Sequence, residues 1–331
     1  MKILHVTECY ASGVARAIES IVALAPDHEH HLLHAGDELP PSTAGFASTT
    51  PLPRGLPRRV LAVREHARAV CADAVHAHSS WAGVYARVPV HGTRVLYEPH
   101  CLKFTDPDSS VTHRAFYRVA ERVLGARTDT FVVLSPQEDR LARELAPRAR
   151  RIMLPNAPQE GLSAEPTERT RSVVMSGRLA PQKSPWWFAE AARAAAASDP
   201  TVQFRWIGDG DADARSQLAE AGVVVTGWLD RDALAAELAQ AGVYLHSAGY
   251  EGFPISVLDA AACSTPIVVR DIAAFEGTGL QRAVSPSEGA ALCLRALDDA
   301  DFADILLDQG RSLLSTMNRD AQRHALERLY G

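Results

Sequence analysis

Two cations and two acids, set in two short stretches, are the residues of this chain best suited to chemistry. In SGRLAPQKSP, residues 176–185, Arg178 and Lys183 fall between a strand-type run and a helix-type run. In alternating α/β chains, ligands bind just past the carboxyl ends of the strands. A planar guanidinium fork and a point-charge ammonium at such a place are complementary partners for a diphosphate leaving group. Two solvated loop cations are the ordinary alternative. Only three of the 34 basic residues are lysines (Lys2, Lys103 and Lys183), which counts against it. The second stretch, GVYLHSAGYEGFPISVLDAAACSTPIVVRD (242–271), reads as strand, loop, helix, strand, with Pro254 as first helical residue. Its loop carries Gly249, Glu251 and Gly252, and Asp259 sits about one turn into the helix. A helix N-terminus binds phosphate through unpaired N–H groups and its positive dipole end. A carboxylate beside it would repel phosphate, so each acid is better matched to neutral hydroxyls. A diphosphate flanked by hydroxyl-rich groups fits, and a nucleotide-sugar is such a ligand.

Weaker signals surround these. WIGDGDAD (206–213) lacks the third glycine of a dinucleotide fingerprint. Its acids start a helix, where the dipole alone favours them, so it is not read as a metal site. Gly208 is expected to let a ligand approach the backbone, and Gly227–Trp228 marks the place for a nucleotide base. CYASGVAR (9–16) is a strand-to-helix turn in which Gly13 could bring N–H groups to phosphate. Strand alternation puts His30 and His31 on opposite faces, against a shared metal, whereas His76 and His78 share a face. His76 is read as a core histidine satisfied by backbone. His78 and His100, which ends YEPH, stand at strand carboxyl ends.

These residues must be positioned by strands alternating with helices. KILHVTE, HHLLHAGD, DAVHAHS, RVLYEPH, TDTFVVLS and RIMLPN are strand runs, and 58–71 and 114–127 have helical spacing. Residues 38–57 read as loop. After a polar linker at 157–171 the alternation restarts with SVVMSGR, VQFRWIG and VVVTGW, and the tail is helical. The fold class is α/β: two Rossmann-like domains facing each other across a cleft, at 1–160 and 171–315, with 316–331 as a C-terminal helix. A chain of 331 residues has room for both. A net charge of −6 without like-charge runs argues against nucleic acid. Five scattered cysteines fit reduced thiols in a cytoplasmic protein, and no stretch is apolar enough to span a bilayer.

In order along most of its length the chain resembles glycosyltransferase family 4, retaining enzymes of GT-B fold. The resemblance is carried by KILHVTE…GVAR, DAVHAHSS, YEPH, LPN, SGRLAPQKSP, WIGDG and above all EGFPISVLDAAACSTPIVV. It implies an acceptor-binding N-terminal domain, a donor-binding C-terminal domain and a tail helix crossing back to the first domain. It implies that Arg178 and Lys183 hold the diphosphate, with the N–H groups of Phe253 and Ile255 and, from the other domain, Gly13. It places Glu251 on hydroxyls of the donor sugar, Asp259 on the ribose diol and His100 near the reacting carbon. Transfer would be front-side displacement with retention, needing no metal and no cofactor beyond the nucleotide-sugar co-substrate. Three positions depart from the pattern: Asp259 for glutamate, Cys101 for glycine, and Gly13 alone where a glycine pair is usual.

The reading is therefore a hexosyltransferase-type enzyme of cell-envelope, exopolysaccharide or glycosylated-metabolite synthesis, acting on a saccharide, lipid-linked or small-molecule hydroxyl. A non-hydrolysing sugar-nucleotide epimerase of the same fold, or a non-catalytic partner subunit, are the rivals. Arg54, Arg58, Arg59, Arg64 and Arg68, with Leu56, Leu61 and Val63, form a basic, partly apolar segment of the kind that rests on anionic lipid. Such contact would make the protein peripheral at the inner face of the plasma membrane.

Overall fold

The computed structural model describes residues 1–36, 40–41, 44–88, 92–163 and 168–331. Parts of the expected loop at 38–57 and linker at 157–171 lie outside them. The chain forms two units, Met1–Asn156 with Arg319–Gly331, and Ala157–Asn318. The exchange after Asn156 comes slightly earlier than the expected 160.

The first unit contains β1 (Lys2–Thr7), α1 (Ser12–Leu24), β2 (Glu29–His34), β3 (Ser48–Pro51), α2 (Leu56–Ala69), β4 (Ala74–His78) and α3 (Ser80–Arg87). It continues with β5 (Arg94–Glu98), α4 (Val111–Gly125), β6 (Thr130–Val133), α5 (Pro136–Leu145) and β7 (Arg150–Met153). Its sheet is parallel in the order β3-β2-β1-β4-β5-β6-β7. The order reverses between β1 and β4, so crossovers run outward on both sides of that seam. β3 stands within the stretch read as loop; its Ser-Thr-Thr run has the β-branched residues that suit an edge strand. One face of the sheet is an apolar layer including Leu4, Val6, Val75, Tyr97 and Phe131. The other begins with Ile3, Ala74, Leu96 and Val132 and turns polar toward the carboxyl ends, at His5, His76, His78 and Glu98, all buried.

The second unit contains β8 (Ser172–Ser176), α6 (Pro185–Ser198), β9 (Gln203–Ile207), α7 (Ala212–Glu220), β10 (Val224–Gly227), α8 (Arg231–Gln240) and β11 (Val243–His246). It continues with α9 (Ile255–Ala262), β12 (Ile267–Arg270), β13 (Gln281–Ala283), α10 (Pro286–Asp298) and α11 (Ala300–Thr316). Its parallel sheet runs β10-β9-β8-β11-β12-β13, with the reversal between β8 and β11. Side-chain caps start most of its helices: Asp211, Asp230, Ser285 and Asp299 each accept the N–H three residues on. The chain ends in α12 (Arg319–Tyr330), which returns to the first unit. Its Ala325, Leu326, Leu329 and Tyr330 complete the layer begun by Ile3 and Leu96.

Candidate functional site

At the β8–β11 seam of the second unit, two loops meet. The first leaves β8 at Gly177 and passes Arg178 to Lys183; the second leaves β11 at His246 and passes Glu251 to Pro254. Gly249 N–H donates to the Gln182 carbonyl at 2.9 Å and Ser247 Oγ to the Lys183 carbonyl at 2.8 Å, pinning one loop to the other. Lys183 Nζ then reaches Glu251 Oε1 at 2.5 Å, with Gln182 Nε2 3.3 Å from Oε2. The pair is largely enclosed: the side chains are 19% and 8% exposed. Burial pushes the Glu251 carboxyl up, but Lys183 first and His246 next outweigh it and hold the group below its ordinary range. Arg178, one residue past Gly177, is exposed. Gly177 leaves room for the Lys183 stem, which a Cβ there would meet at 3.3 Å.

α9 starts at Ile255, with Pro254 as its cap residue rather than its first turn, because Pro254 has ψ 124 and not a helical value. No side chain caps this end, so its first N–H groups are offered to a ligand or to water. Gly252, Phe253 and Ile255 are buried around it. Asp259 is only 1% exposed. Its Oδ1 accepts the Gln159 N–H at 2.9 Å, so this acid also ties down the chain just after residue 157. Tyr244 O–H donates to Ser256 Oγ at 2.9 Å, bracing the first turn of α9 from β11.

Gly208 is required by a close approach within the fold itself. It has φ 135, and a Cβ there would stand 2.2 Å from the Gly177 carbonyl oxygen. The close approach is thus between the ends of β9 and β8. The same carbonyl accepts Trp206 Nε1–H at 2.8 Å. Trp228, 59% exposed, lies just past β10, its ring 3.5 Å from that Cβ position. Asp209 pairs with Arg215 at 2.6 Å and Asp211 caps α7 at 2.9 Å, which are the roles the helix start gives them.

In the first unit Gly13 is helical, and a Cβ on it would meet nothing within 4 Å. The residue that needs a left-handed backbone is Ser12, at φ 49; it occupies the place where glycine would be unstrained. His100 is also left-handed, at φ 54. Its ring nitrogens both turn inward: Nε2 is 3.1 Å from His78 Nδ1, and Nδ1 is 3.5 Å from Glu98 Oε1. His76 Nδ1 meets the Tyr330 hydroxyl at 2.9 Å rather than backbone, and its Nε2 stands 3.1 Å from Glu98 Oε2 without a hydrogen bond. Burial pushes Glu98 up, but His100 first, then His76 and His78, bring its carboxyl well below the usual range.

Sequence reasoning missed Glu8 and Ser79, which meet at the β1–β4 seam: Ser79 Oγ–H donates to Glu8, and Ala82 N–H donates to Glu8 at 3.2 Å. Burial raises the Glu8 carboxyl above its ordinary value. The signal available was position alone, each being the first residue or so past a strand on either side of the reversal. The basic segment at 54–68 is only partly as expected. Val63 is fully buried, and Arg59 is turned inward onto the Pro53 carbonyl and the Tyr85 hydroxyl, both at 2.9 Å.

Residues 6–157 match the family model described as glycosyl transferase 4-like domain, and residues 170–308 match glycosyl transferases group 1. Among curated proteins, none matches the sequence. Among solved structures, sucrose-phosphate synthase from Thermosynechococcus elongatus superposes with TM-score 0.81 at 20% identity, over 100% of this chain and 98% of the other. HepE of Anabaena, solved with UDP and glucose, gives 0.82 at 14% identity, over 100% and 99%. The pneumococcal O-GlcNAc transferase GtfA, solved with UDP and GlcNAc, gives 0.72 at 12% identity, over 100% and 98%.

Proposed function

The chain belongs to the family 4-like glycosyltransferases of GT-B fold, and from that premise we propose that it moves a sugar from a nucleoside-diphosphate donor to an acceptor hydroxyl with retained configuration. The observation that carries this is the Lys183–Glu251 pair at the β8–β11 seam beside the uncapped start of α9. A cation, an ionised acid and free N–H groups then converge where α/β sheets take ligands. Lys183, Arg178 and the α9 N–H groups neutralise the diphosphate as its bond to the anomeric carbon breaks. Glu251 accepts from sugar hydroxyls and shares Lys183 with the diphosphate. Asp259 holds the ribose and Trp228 lies by the base. The acceptor oxygen bonds to the anomeric carbon on the face the diphosphate leaves, and its proton passes to a diphosphate oxygen. No metal is assigned a step.

The acceptor is proposed to be a saccharide or lipid-linked saccharide of the cell envelope, reached from the membrane surface. α4 supports this better than α2. It exposes Val111, Phe116, Val119 and Val123 by 80, 67, 62 and 67%, beside exposed Arg114, Arg122 and Arg127. An apolar stripe bordered by arginines is matched to anionic lipid.

A donor screen tests the reading. HepE and GtfA were solved with UDP-glucose, or with UDP and a sugar, so UDP-hexoses come first, with and without EDTA, reading free nucleoside diphosphate and product mass. Steady release of UDP with sugar on the acceptor, unchanged by EDTA, is the expected result. Interconversion of sugar-nucleotides without transfer would favour an epimerase, and silence across all donors a non-catalytic subunit.

A further inference from the structure

Glu8 carries one carboxyl oxygen that the fold uses and one that it does not. The residue stands directly after β1, and Ser79 directly after β4, on the two sides of the reversal in the first sheet. Ser79 Oγ–H and, at 3.2 Å, Ala82 N–H both donate to Oε2, so that oxygen closes the seam and caps the start of α3. Among the described residues, no other residue donates to Oε1. Arg59, the cation whose charge acts on this carboxyl, is held elsewhere: its Nε donates to the Pro53 carbonyl and its Nη1 to the Tyr85 hydroxyl, each at 2.9 Å.

An ionised carboxylate oxygen has lone pairs to fill and nothing to donate. Burial raises the Glu8 carboxyl, while Ser79, its own N–H and Ala82 pull it back toward ionisation, with Arg59 after them. A half-buried oxygen without a protein donor needs one from outside, because leaving it unmet costs free energy. Water serves in the free protein. The place is also where a doubly wound sheet takes its ligand, past the carboxyl ends of the strands on either side of the reversal. A phosphate or carboxylate would be repelled by this oxygen. The fitting ligand is neutral and rich in O–H groups, which is the chemistry of a saccharide.

We propose that Glu8 is an acceptor-binding residue, whose Oε1 accepts the hydrogen bond of one hydroxyl of a neutral saccharide acceptor. The other oxygen supplies the rigidity: Ser79 and Ala82 fix the carboxyl, so the hydroxyl is oriented as well as attracted. The bearing on catalysis rests on the proposed transfer to an acceptor hydroxyl; the saccharide contact can be read without turnover.

Transfer to octyl β-glucoside, octyl β-galactoside and octyl N-acetyl-β-glucosaminide, with deoxy analogues of whichever is used best, tests it beside donor hydrolysis without acceptor. In Glu8→Gln the amide oxygen can take the bonds from Ser79 and Ala82, and an NH2 group replaces the lone pairs of Oε1. The ratio of transfer to donor hydrolysis should then fall about thirtyfold, the worth of one hydrogen bond to a charged group. Removing one particular hydroxyl of the glycoside should lower wild-type transfer by a similar factor and lower Glu8→Gln little further. Losses that simply multiply, for every hydroxyl tried, overturn the proposal. So does an equal fall in hydrolysis and transfer, which is the mark of a part in holding α3 alone. If Glu8→Gln does not fold, Glu8→Asp takes its place: its shorter carboxylate should weaken the coupling to that hydroxyl, and undiminished coupling overturns the proposal. Donor hydrolysis without transfer to any of these glycosides overturns the neutral saccharide acceptor. Absence of both activities would count against the proposed function and leave saturation-transfer NMR of the glycosides to judge the contact. Signals seen with the wild type and lost in the variant support the binding role, and equal signals overturn it.

Discussion

Lys183 Nζ and Glu251 Oε1, 68 residues apart in sequence, meet at 2.5 Å where the second sheet reverses its direction of winding. The two loops are also bonded to each other, Gly249 N–H to the Gln182 carbonyl and Ser247 Oγ–H to the Lys183 carbonyl. The pair therefore reports on the assembly of the site as well as on its charge.

Replacing the ammonium should cost both activity and stability. Lys183→Ala is expected to lower turnover about a hundredfold, roughly 3 kcal/mol, by removing one charge-stabilising contact to the leaving group. It also strands Glu251, and one-sided loss of an enclosed pair costs about 3–5 kcal/mol. The double variant Lys183→Ala/Glu251→Gln should regain much of the stability and none of the turnover. Recovery of turnover in that variant, measured below both melting temperatures, would show that the charge serves the fold alone.

The acid partner sets a pH window. Glu251 is held below its ordinary value of 4.5 in the fold. Its contribution is thus fully present above pH 4.5 and is lost as pH falls from there through the lowered value. Urea titrations across this range should show stability falling with acid in the wild type and a shallower fall in Glu251→Gln. Identical slopes would mean that the pair adds nothing to the folded state.

Asp259→Glu adds a methylene to a side chain only 1% exposed and already bonded to Gln159 N–H. Overpacking of this kind costs about 1–3 kcal/mol of stability. Nucleoside-diphosphate affinity should nonetheless be kept or improved, because the longer acid restores the reach usual at this position. Calorimetry decides, and a large loss of affinity would remove Asp259 from the ribose.

On vesicles containing anionic lipid, flotation should depend on α4. Burying a Phe or Val side chain is worth about 1.5–3 kcal/mol, so Phe116→Ser with Val119→Ser and Val123→Ser should abolish it. Arg58→Ala with Arg64→Ala should weaken it less. Wild-type protein that stays at the bottom of the gradient would leave the acceptor off the membrane.

Much of the fold was legible because parallel strands buried on both faces read as apolar runs, and KILHVT and GVYLHS did so. Short edge elements were not: β3 and β13 have four and three residues and no apolar periodicity. In the site, residue types foretold that Lys183 and Glu251 belonged to one chemistry. They could not foretell that the two bond to each other, since that depends on which strands are neighbours. The buried histidines of the first unit were half visible. Alternation set His76 and His78 on one face and parted His30 from His31. The role of Tyr330, more than 250 positions away, had no local trace.

The return of α12 to the first unit has a consequence for synthesis. The seven strands among the described residues of that unit have been made by Met153, yet Ala325, Leu326, Leu329 and Tyr330, which roof one of its faces, follow only after the second unit. The whole second unit, roughly 160 residues, is translated in between, a wait of roughly 10–30 s at ribosomal speed. During that interval the nascent first unit carries an open apolar surface, with the imidazole of His76 uncovered beside it. A chaperone at the ribosome has that interval in which to act.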